Sequence, residues 1–505
     1  MSLSPNMPVL CAIGEDTNRG GAIRGPMDLA ERAAREALGA LPADAARDLD
    51  TVAFIRSFAD SAPMFASPFG TPTNPPAALA QRLGAAPRRT IHTGIGGDTP
   101  QALVNALAEE IAAGERSACL IVSGDAMGSQ ARAAKQGLAL DWSDETGADD
   151  PPEPFGSDEP GVNAHEFAHG LALPTTIYPL FETAHAAAHG RDWAQHRAVI
   201  GDLFSRFSAV AAANPAASLN TPYTAEAISE PAPDNRLVAW PYTKRLTSNM
   251  YVDQAAALVL ASAAQADAWG VPPASRVYLH GAARTAENWF VSEREDYASA
   301  PAMARAAGAA LGQAGIDADD LSVIDLYSCF PIAVMLGMEA LGLPSGATPT
   351  LTGGMPYFGG PGNSYALHGI VAMVRALREG DARGNRFGLV NANGWYLTKH
   401  AFGVYGTSPP PRANPVAAIP LHEPRPHPPL NEAPEGVGVI ETYTVPIERD
   451  GRRAGVLIGR AEDGARFIAR TEDERTVNAL VSSVCVGERV SVTPGLTNQA
   501  VLAET

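Results

Sequence analysis

The 505-residue sequence predicts an α/β protein made of two similar halves, with a helical insertion and a small β-domain at its end. Three observations lead to this prediction. Amphipathic helices alternate with short apolar strands, which is typical of βαβ units around buried sheets. One order of helix, acidic loop and strand occurs twice along the chain. From about residue 436 onward the pattern changes to alternating strands alone.

The internal repeat has two parts. Residues 27–55 contain an Ala/Leu-rich amphipathic helix, an acidic loop and an apolar strand, and residues 302–327 repeat that order. Residues 90–125 run from a double-glycine loop through a helix and a Gly-Glu turn to a buried strand, and residues 353–394 follow the same plan. Such patterns also recur by chance in α/β proteins, but two ordered pairs favour a duplication.

Residues from about 136 to 245 interrupt the first half. An acidic, proline-rich stretch predicts an exposed loop. Residues 176–190 and 192–214 have the apolar period of helices, so this segment is predicted to be an inserted helical domain. The strand-rich return to the first half follows at residues 245–262.

The end of the chain combines a stiff linker and a β-domain. Residues 406–436 are rich in proline, which predicts an extended connection. The tail then shows strands separated by "RDG" and "EDG" hairpin turns and is predicted to form a small barrel. The predicted units are the first half at 1–275, the second half at 276–407, the linker at 408–435 and the β-domain at 436–505.

Composition bounds the function. The formal net charge of −18 argues against nucleic acid as the main partner. Four widely spaced cysteines show neither a disulfide framework nor a metal-ligand spacing. The start of the chain lacks the pattern of a signal peptide, and no stretch approaches the about 20 apolar residues of a membrane span. We therefore expect a cytoplasmic protein without a membrane span.

Several motifs carry a family resemblance. In order, they are "GIGGDTPQALVNALAEEI", "YVDQAAALVLAS", "VIDLYSCFPIAVMLGMEALGL", "GGMPYFGGPGNSYALHG" and "LVNANGWYLTKHAFGVYG". Together they resemble the thiolase superfamily over roughly residues 5–410, in particular its sterol-carrier-protein-type and acetyl-CoA acetyltransferase-like members. The tail resembles the OB-like domain that accompanies many thiolase-like proteins. The resemblance implies a duplicated thiolase fold with five layers, αβαβα.

The departures from the family motifs bear directly on function. The position of the nucleophilic cysteine falls on Gly96, and the histidine of the Gly-His-Pro loop is replaced by Gly360. The second catalytic cysteine falls near Ala392 or Asn393, and Tyr327 stands where the family has Asn or His. The usual catalytic side chains are therefore missing, which excludes an ordinary ping-pong thiolase.

The main chain of the glycine loops still offers hydrogen-bond donors. Gly96 and Gly97 precede a helix that is predicted to start near Pro100, so their amides can face a thioester or enolate oxygen. Asp98 is interpreted as the N-cap of that helix. The residues expected to bind the acyl-CoA are Gly96, Gly97, Gly359, Gly360, Asn363, Ser364, Asn393 and Gly394.

Candidate acid and base groups are few. Tyr327 could exchange a proton with a β-oxygen, and His368 and His400 titrate in the useful range. Cys329 could act as a substitute nucleophile. Each of these four side chains could equally be a structural core residue. His185 and His189 have a metal-binding spacing, but no third ligand lies near them in the sequence, so we predict no metal site.

Two hypotheses follow. The first is an acyl-CoA-dependent enzyme that forms or cleaves a C–C bond, or transfers an acyl group, without a covalent acyl-cysteine. It would use glycine amides as an oxyanion hole, with Tyr327, His400, His368 and Cys329 as catalytic candidates and coenzyme A or acyl-CoA as substrate. The alternative is a non-catalytic acyl-CoA-binding or scaffold protein. A homodimer is expected by resemblance to thiolases.

Overall fold

A computed structural model describes residues 3–144, 150–380, 386–413, 416–417 and 419–503. Part of the predicted acidic loop and of the proline-rich linker lies outside the described residues, as do the two extreme ends. Within the described chain no helix is long and apolar enough to cross a membrane.

The first half alternates strands and helices as the sequence predicts. Its elements are β1 (Pro8–Thr17), α1 (Pro26–Gly39), β2 (Thr51–Phe54), α2 (Pro75–Leu83), β3 (Arg89–Thr93), α3 (Thr99–Ala112), β4 (Ala118–Val122), β5 (Asp125–Ala126) and α4 (Met127–Lys135). The insertion then contributes β6 (Glu153–Phe155), α5 (Ala164–Ala168), α6 (Pro174–Ala188), α7 (Trp193–Ala213), α8 (Ala225–Ser229), β7 (Leu237–Trp240) and β8 (Tyr242–Thr243). Two elements return the chain to the first half, namely β9 (Asp253–Ser262) and α9 (Ala263–Ala268).

The second half repeats this order with fewer strands. It consists of β10 (Val277–Ala286), α10 (Pro301–Ala314), β11 (Leu321–Asp325), α11 (Pro331–Ala340), α12 (Tyr365–Glu379), β12 (Phe387–Gly394) and β13 (Lys399–Gly406). The strands of the two halves follow the order β6-β3-β2-β4-β9-β1 and β10-β13-β12-β11. The two sheets meet where β1 and β10 pair antiparallel, through Val9 opposite Tyr278 and Leu10 opposite Val277.

A glycine in each half marks the duplication at atomic detail. A Cβ on Gly14 of β1 would collide with the backbone of α1 at Ala33, and a Cβ on Gly281 of β10 would collide in the same way with α10 at Ala310. Each helix therefore packs directly on the main chain of its strand, which only glycine permits. The same packing solution in both halves supports a duplicated α/β unit.

The layers follow from the burial of apolar faces. Helices α3 and α12 bury side chains such as Leu107 and Ile370 between the two sheets, in one core with Leu258 of β9. The outer face of the first sheet is covered by α1 and α2, and the outer face of the second sheet packs with α10 and α11 in the core shared with α6 and α7. The result is the expected αβαβα arrangement.

The C-terminal part is a closed barrel. Its elements are β14 (Gly436–Pro446), β15 (Gly455–Ala461), β16 (Arg466–Thr471), α13 (Glu474–Ser482), β17 (Arg489–Thr493) and β18 (Gln499–Leu502). The pairings β14-β15-β16-β18-β17-β14 close the sheet on itself. The predicted hairpin turns lie at Gly451 and Gly464, both with positive φ. Helix α13 was not predicted; it forms because Val477 and Leu480 bury one face against the barrel.

The barrel is held on the body by buried polar contacts. Arg466 of β16 is fully buried and donates hydrogen bonds to the carbonyl oxygens of Ser292 and Arg294, at 2.8 and 2.5 Å. Its guanidinium also pairs with Glu441 at 2.7 Å. Strand β7 of the insertion also pairs antiparallel with β14 of the barrel, so the insertion and the tail contribute strands to one sheet.

Candidate functional site

The two glycine turns, around Gly96 and around Gly360, meet in the fold. The amide of Gly96 donates a hydrogen bond of 3.0 Å to the side-chain oxygen of Asn363, across 267 positions of sequence. Asn363 in turn donates to the carbonyl oxygen of Arg56 and to the hydroxyl of Ser61, at 3.0 and 2.9 Å. The amide that was expected to face a substrate oxygen is thus bound by a side chain of the protein itself.

A buried cation lies at the centre of this region. The ammonium of Lys399, at the start of β13, is 3.1 Å from a carboxylate oxygen of Asp98 and donates 2.7 Å to the carbonyl oxygen of Ile95. The side chain of Lys399 is 4% exposed and that of Asp98 is fully buried. Arg284 of β10 adds a second contact to Asp98, at 3.4 Å. A buried ion pair therefore ties the first glycine turn to the second half of the protein.

The interpretation of Asp98 as a capping residue holds for its position but not for its hydrogen bonding. Asp98 does precede α3, but its side chain makes no capping hydrogen bond to the first turn of the helix. The carboxylate instead lies beside Lys399 and Arg284, whose opposite charges compensate the buried anion.

The glycines near this ion pair leave room for protein side chains. A Cβ placed on Gly96 would collide with the end of Lys399, and one on Gly97 would collide with the hydroxyl of Tyr327. A Cβ on Gly394 would collide with the carboxylate of Asp98. These glycines are thus required by the packing of the protein on itself.

The second glycine turn shows the same packing. A Cβ on Gly359 would collide with the amide of Gln254, and one on Gly360 with the hydroxyl of Ser248. The hydroxyl of Ser364 lies 3.0 Å from a carboxylate oxygen of Asp125 and 2.7 Å from the carbonyl oxygen of Pro361. The loop 359–364 is therefore fixed by neighbours from the first half.

Tyr327 and Cys329 lie in one core, and Tyr327 contacts the first glycine turn. Each is 7% exposed, and the ring of Tyr327 packs edge-on against Tyr365 at 5.6 Å. Burial raises the pKa of the Tyr327 phenol well above its ordinary value and raises the pKa of the Cys329 thiol to about 12. Both groups therefore stay protonated at neutral pH, so the phenol can donate a hydrogen bond but the thiol is a poor nucleophile.

The two histidines are buried in different surroundings. His400 in β13 forms no side-chain hydrogen bond of ordinary geometry with the described residues, and its nearest carboxylate oxygen, on Glu287, is 4.0 Å away. Burial, followed by the charge of Arg294, lowers the pKa of His400 to about 3. His368 in α12 instead contacts a carboxylate oxygen of Glu15 in β1 at 2.7 Å. His400 is therefore neutral, and His368 is held by its contact with Glu15.

Asn393 completes the region on the second half. Its amide nitrogen donates 2.8 Å to the hydroxyl of Tyr178 in α6, while its amide oxygen is buried without a hydrogen bond among the described residues. The carbonyl oxygen of Asn393 lies close to Gly97. Thus the structure brings together Gly96, Gly97, Asn363, Asn393, Gly394 and Tyr327, whereas His368 points to a different partner.

The motifs did not point to a buried carboxylate that lies next to these loops. Asp125 accepts hydrogen bonds from the amide of Phe58 at 2.7 Å and from the hydroxyls of Ser57 and Ser364, at 3.2 and 3.0 Å. Burial raises the pKa of Asp125 to about 7. The available signal was an aspartate directly after a wholly apolar strand, in the stretch "CLIVSGD".

A potential third ligand that is distant in sequence lies beside His185 and His189 in the fold. Glu339 in α11 lies beside both histidines, and the three side chains offer ligand atoms within 4.8 Å of one another. No local pattern could indicate this contact, because Glu339 is 154 positions from His185.

An open cleft lies elsewhere. It has a volume of about 840 Å³ and lies toward the C-terminal end of α12, between that helix, the end of β1 and the end of α7. Its polar lining includes Glu15, Arg375 and Glu379. Arg375 lies ten positions after Tyr365, the first residue of α12, which places it about 15 Å along the helix from the glycine loop. The cleft is thus separate from the glycine turns.

Known proteins resemble this chain in its C-terminal sequence and in its whole fold. A family model for the additional C-terminal domain of thiolase-like protein type 1 matches residues 422–495. No curated protein matches the chain. The crystal structure of a monomeric SCP2-thiolase-like protein type 1 from Mycobacterium smegmatis is 33% identical and has a TM-score of 0.82. The match covers 99% of this chain and 100% of that one.

More distant structures share the fold. The Ltp2-ChsH2(DUF35) aldolase is 18% identical with a TM-score of 0.55, covering 80% of this chain and 98% of that one. An acetyl-CoA acetyltransferase from Syntrophomonas wolfei is 15% identical with a TM-score of 0.53, covering 80% and 99%. These likenesses confirm the predicted thiolase fold with its additional C-terminal barrel. The chain therefore belongs to the type 1 SCP2-thiolase-like protein family.

Proposed function

We propose that this protein is a non-catalytic member of its family, a binding or scaffold protein whose former reaction centre has become part of the core. The observation that carries the proposal is the buried Lys399–Asp98 ion pair, which lies against Gly96 and Gly394. Thioester chemistry needs space for a pantetheine arm at this point, and the ion pair occupies that space.

The hydrogen-bonding state of the main chain supports the same proposal. An oxyanion hole needs donors that aim at an empty position where negative charge develops. Here the Gly96 amide is already bound to Asn363, and Gly97 faces Tyr327. Freeing the Gly96 amide for a substrate would break a buried hydrogen bond, at a cost of about 1–3 kcal/mol.

The candidate acid and base groups also favour a silent centre. A general base works best with a pKa near the operating pH. The lowered pKa of His400, at about 3, and the raised pKa of Cys329, at about 12, lie far from that range on opposite sides. Neither group is suited to move a proton at neutral pH.

The ligand of a binding protein would enter the cleft beside α12. Apolar residues such as Val210 and Leu351 line it together with Arg375 and two glutamates. This lining suits a small molecule with an apolar body and a charged end. It suits the phosphates of coenzyme A less well, because the carboxylates of Glu15 and Glu379 would repel them.

One experiment tests the proposal. The purified protein is incubated with CoA and a panel of β-keto and β-hydroxyacyl thioesters, and the products are identified by mass spectrometry. We expect no turnover above that of heat-inactivated protein. Turnover that is lost in Tyr327→Phe and His400→Ala, with unchanged circular dichroism, would overturn the proposal.

A second candidate function is supported by one further observation. The hydroxyl of Tyr327 lies next to Gly97, where an acyl-CoA enzyme without a covalent acyl-cysteine could use the phenol as a hydrogen-bond donor. Such an enzyme would perform retro-aldol, retro-Claisen or acyl-transfer chemistry with acyl-CoA as substrate, and Lys399 would have to move aside first. The same substrate panel decides between the two functions.

We also propose that the protein is a monomer, in place of the homodimer expected from thiolases. The Mycobacterium smegmatis relative is described as monomeric. In this chain β6 pairs with the outer edge of β3, and Arg89 binds Glu153 of β6 at 2.6 Å, so that edge is covered. Light scattering after gel filtration should give a mass near 52.6 kDa; twice that mass would contradict the proposal.

A further inference from the structure

The geometry points to a metal site that joins the insertion to the second half: we propose that His185, His189 and Glu339 bind one divalent transition-metal ion of the Zn²⁺ class. The inference is independent of the proposed function, because the site lies apart from the glycine turns. It rests on the positions of three ligand atoms, the tautomer of one histidine and the exposure of the site.

The ligand atoms have the spacing of a metal site. His185 lies in the last turn of α6 and His189 directly follows the helix, so both rings lie on one face, with centroids 4.1 Å apart. Glu339 of α11 places a carboxylate oxygen 2.8 Å from Nε2 of His185 and 3.6 Å from Nε2 of His189. Ligands at about 2.0–2.2 Å from a tetrahedral ion are separated by about 3.3 Å. Small rotations of the side chains would therefore seat an ion among the three.

A hydrogen bond prepares one imidazole for the metal. Nδ1 of His189 lies 3.0 Å from the carbonyl oxygen of His185, which can only accept, so Nδ1 carries the proton. Nε2 of His189 is then left with its lone pair free to bind a cation. Main-chain carbonyls fix metal-binding histidines in this way in many known sites.

The charge at the site suits a cation. The carboxylate of Glu339 supplies the anionic ligand. The ion takes the place of the proton in the hydrogen bond of 2.8 Å between Nε2 of His185 and Glu339, and that proton is released to solvent. The positive charge of Arg191 remains near the carboxylate when an ion binds, and it weakens binding to some degree.

The nearby His196 does not compete for the ion. Its ring lies 6.0 Å from that of His185, but its Nε2 is 2.5 Å from Glu182 in a fully buried pair. The side chains of His189 and Glu339 are instead 39% and 47% exposed. An ion can thus enter from solvent, and a water molecule can take the fourth position.

Binding would connect two parts of the fold. Helix α6 belongs to the insertion and also packs on β14 of the barrel, whereas α11 belongs to the second half. Three protein ligands with an open fourth position match the pattern of zinc sites that keep a water or an exchangeable ligand.

The test uses full-length protein without a polyhistidine tag, stripped of metal with a chelator. Zn²⁺ is titrated in competition with a chromophoric chelator, and Co²⁺ is titrated separately while its visible absorption is recorded. We expect one ion per chain and a Co²⁺ spectrum of low coordination number. His189→Ala and Glu339→Gln should each weaken Zn²⁺ binding about tenfold or more.

The chain offers a matched control. His165 and His169 form another pair four positions apart, with ring centroids at 4.3 Å, but Nε2 of His169 already accepts the amide of Asn498. His165→Ala should leave Zn²⁺ affinity unchanged. The proposal is overturned if the wild type does not bind Zn²⁺. It is also overturned if His189→Ala and Glu339→Gln bind Zn²⁺ as tightly as the wild type while their thermal unfolding matches that of the wild type.

Discussion

Replacing Lys399 tests whether the buried ion pair beside the first glycine turn holds the fold together. Lys399→Met keeps the length and the apolar stem of the side chain but removes the ammonium. The change leaves the buried carboxylate of Asp98 with Arg284 as its remaining cation, at 3.4 Å, and leaves the carbonyl oxygen of Ile95 without its hydrogen bond. Removing one partner of a buried pair costs about 3–5 kcal/mol, because the other charge stays buried.

This free energy can be converted into a melting temperature. If roughly 400 residues of the thiolase-like body unfold together, the entropy of unfolding is about 0.8 kcal/mol per degree. The loss then corresponds to a fall of about 4–6 °C. Differential scanning calorimetry measures the shift, and circular dichroism at low temperature shows whether the variant folds.

Two controls make the result specific. The other lysines, Lys135 and Lys244, are exposed, so Lys135→Met and Lys244→Met should change the melting temperature by less than about 1 °C. The double variant Lys399→Met with Asp98→Asn removes both charges and should recover part of the loss. The reasoning is refuted if Lys399→Met melts with the wild type, or if the double variant is less stable than the sum of the two single changes.

Three further predictions concern other parts of the same structure. Because burial raises the pKa of Asp125 from 3.8 to about 7, the folded protein keeps a proton that the unfolded chain releases. The free energy of unfolding should therefore fall by up to about 4 kcal/mol as the pH rises from 4 to 7. Urea unfolding at several pH values should show a weaker pH dependence in Asp125→Asn, and an unchanged dependence would contradict the assignment. Gly97→Ala should destabilise the protein by about 1–3 kcal/mol because its Cβ meets the hydroxyl of Tyr327, and Tyr327→Phe in the same chain should restore part of the loss, as measured by thermal unfolding. Arg466→Met should loosen the barrel from the body, because Arg466 donates hydrogen bonds to two main-chain carbonyl oxygens there. Limited proteolysis should therefore release the barrel faster in this variant than in the wild type, whereas Arg452→Met, at an exposed position, serves as the control. Equal cleavage rates in Arg466→Met and the wild type would show that other contacts hold the barrel.

Much of the fold was predictable from local patterns. The apolar periods of residues 176–190 and 192–214 place α6 and α7 to within two residues, because a helix must bury one face wherever it packs. The duplication could be predicted from the sequence because the two halves have the same order of helices and strands. Helix α13 was not predicted, because its apolar face is short and is stabilised only by packing against the barrel.

The residues around the first glycine turn were only half predictable. The missing cysteines and histidine are facts of the sequence. The buried ion pair was not predictable, because Lys399 lies about 300 positions from Asp98 and looks like any lysine at the start of a strand. The same holds for Glu339 and the two histidines of α6.

By itself, therefore, the sequence determined the elements, their order, the duplication and the absence of the usual thiolase side chains. Only the tertiary structure decided which side chains lie against the glycine turns and where ligand atoms meet. The physical reason is that periodicity and burial act over a few neighbouring residues, whereas an ion pair or a metal site depends on side chains that approach only when distant segments pack together.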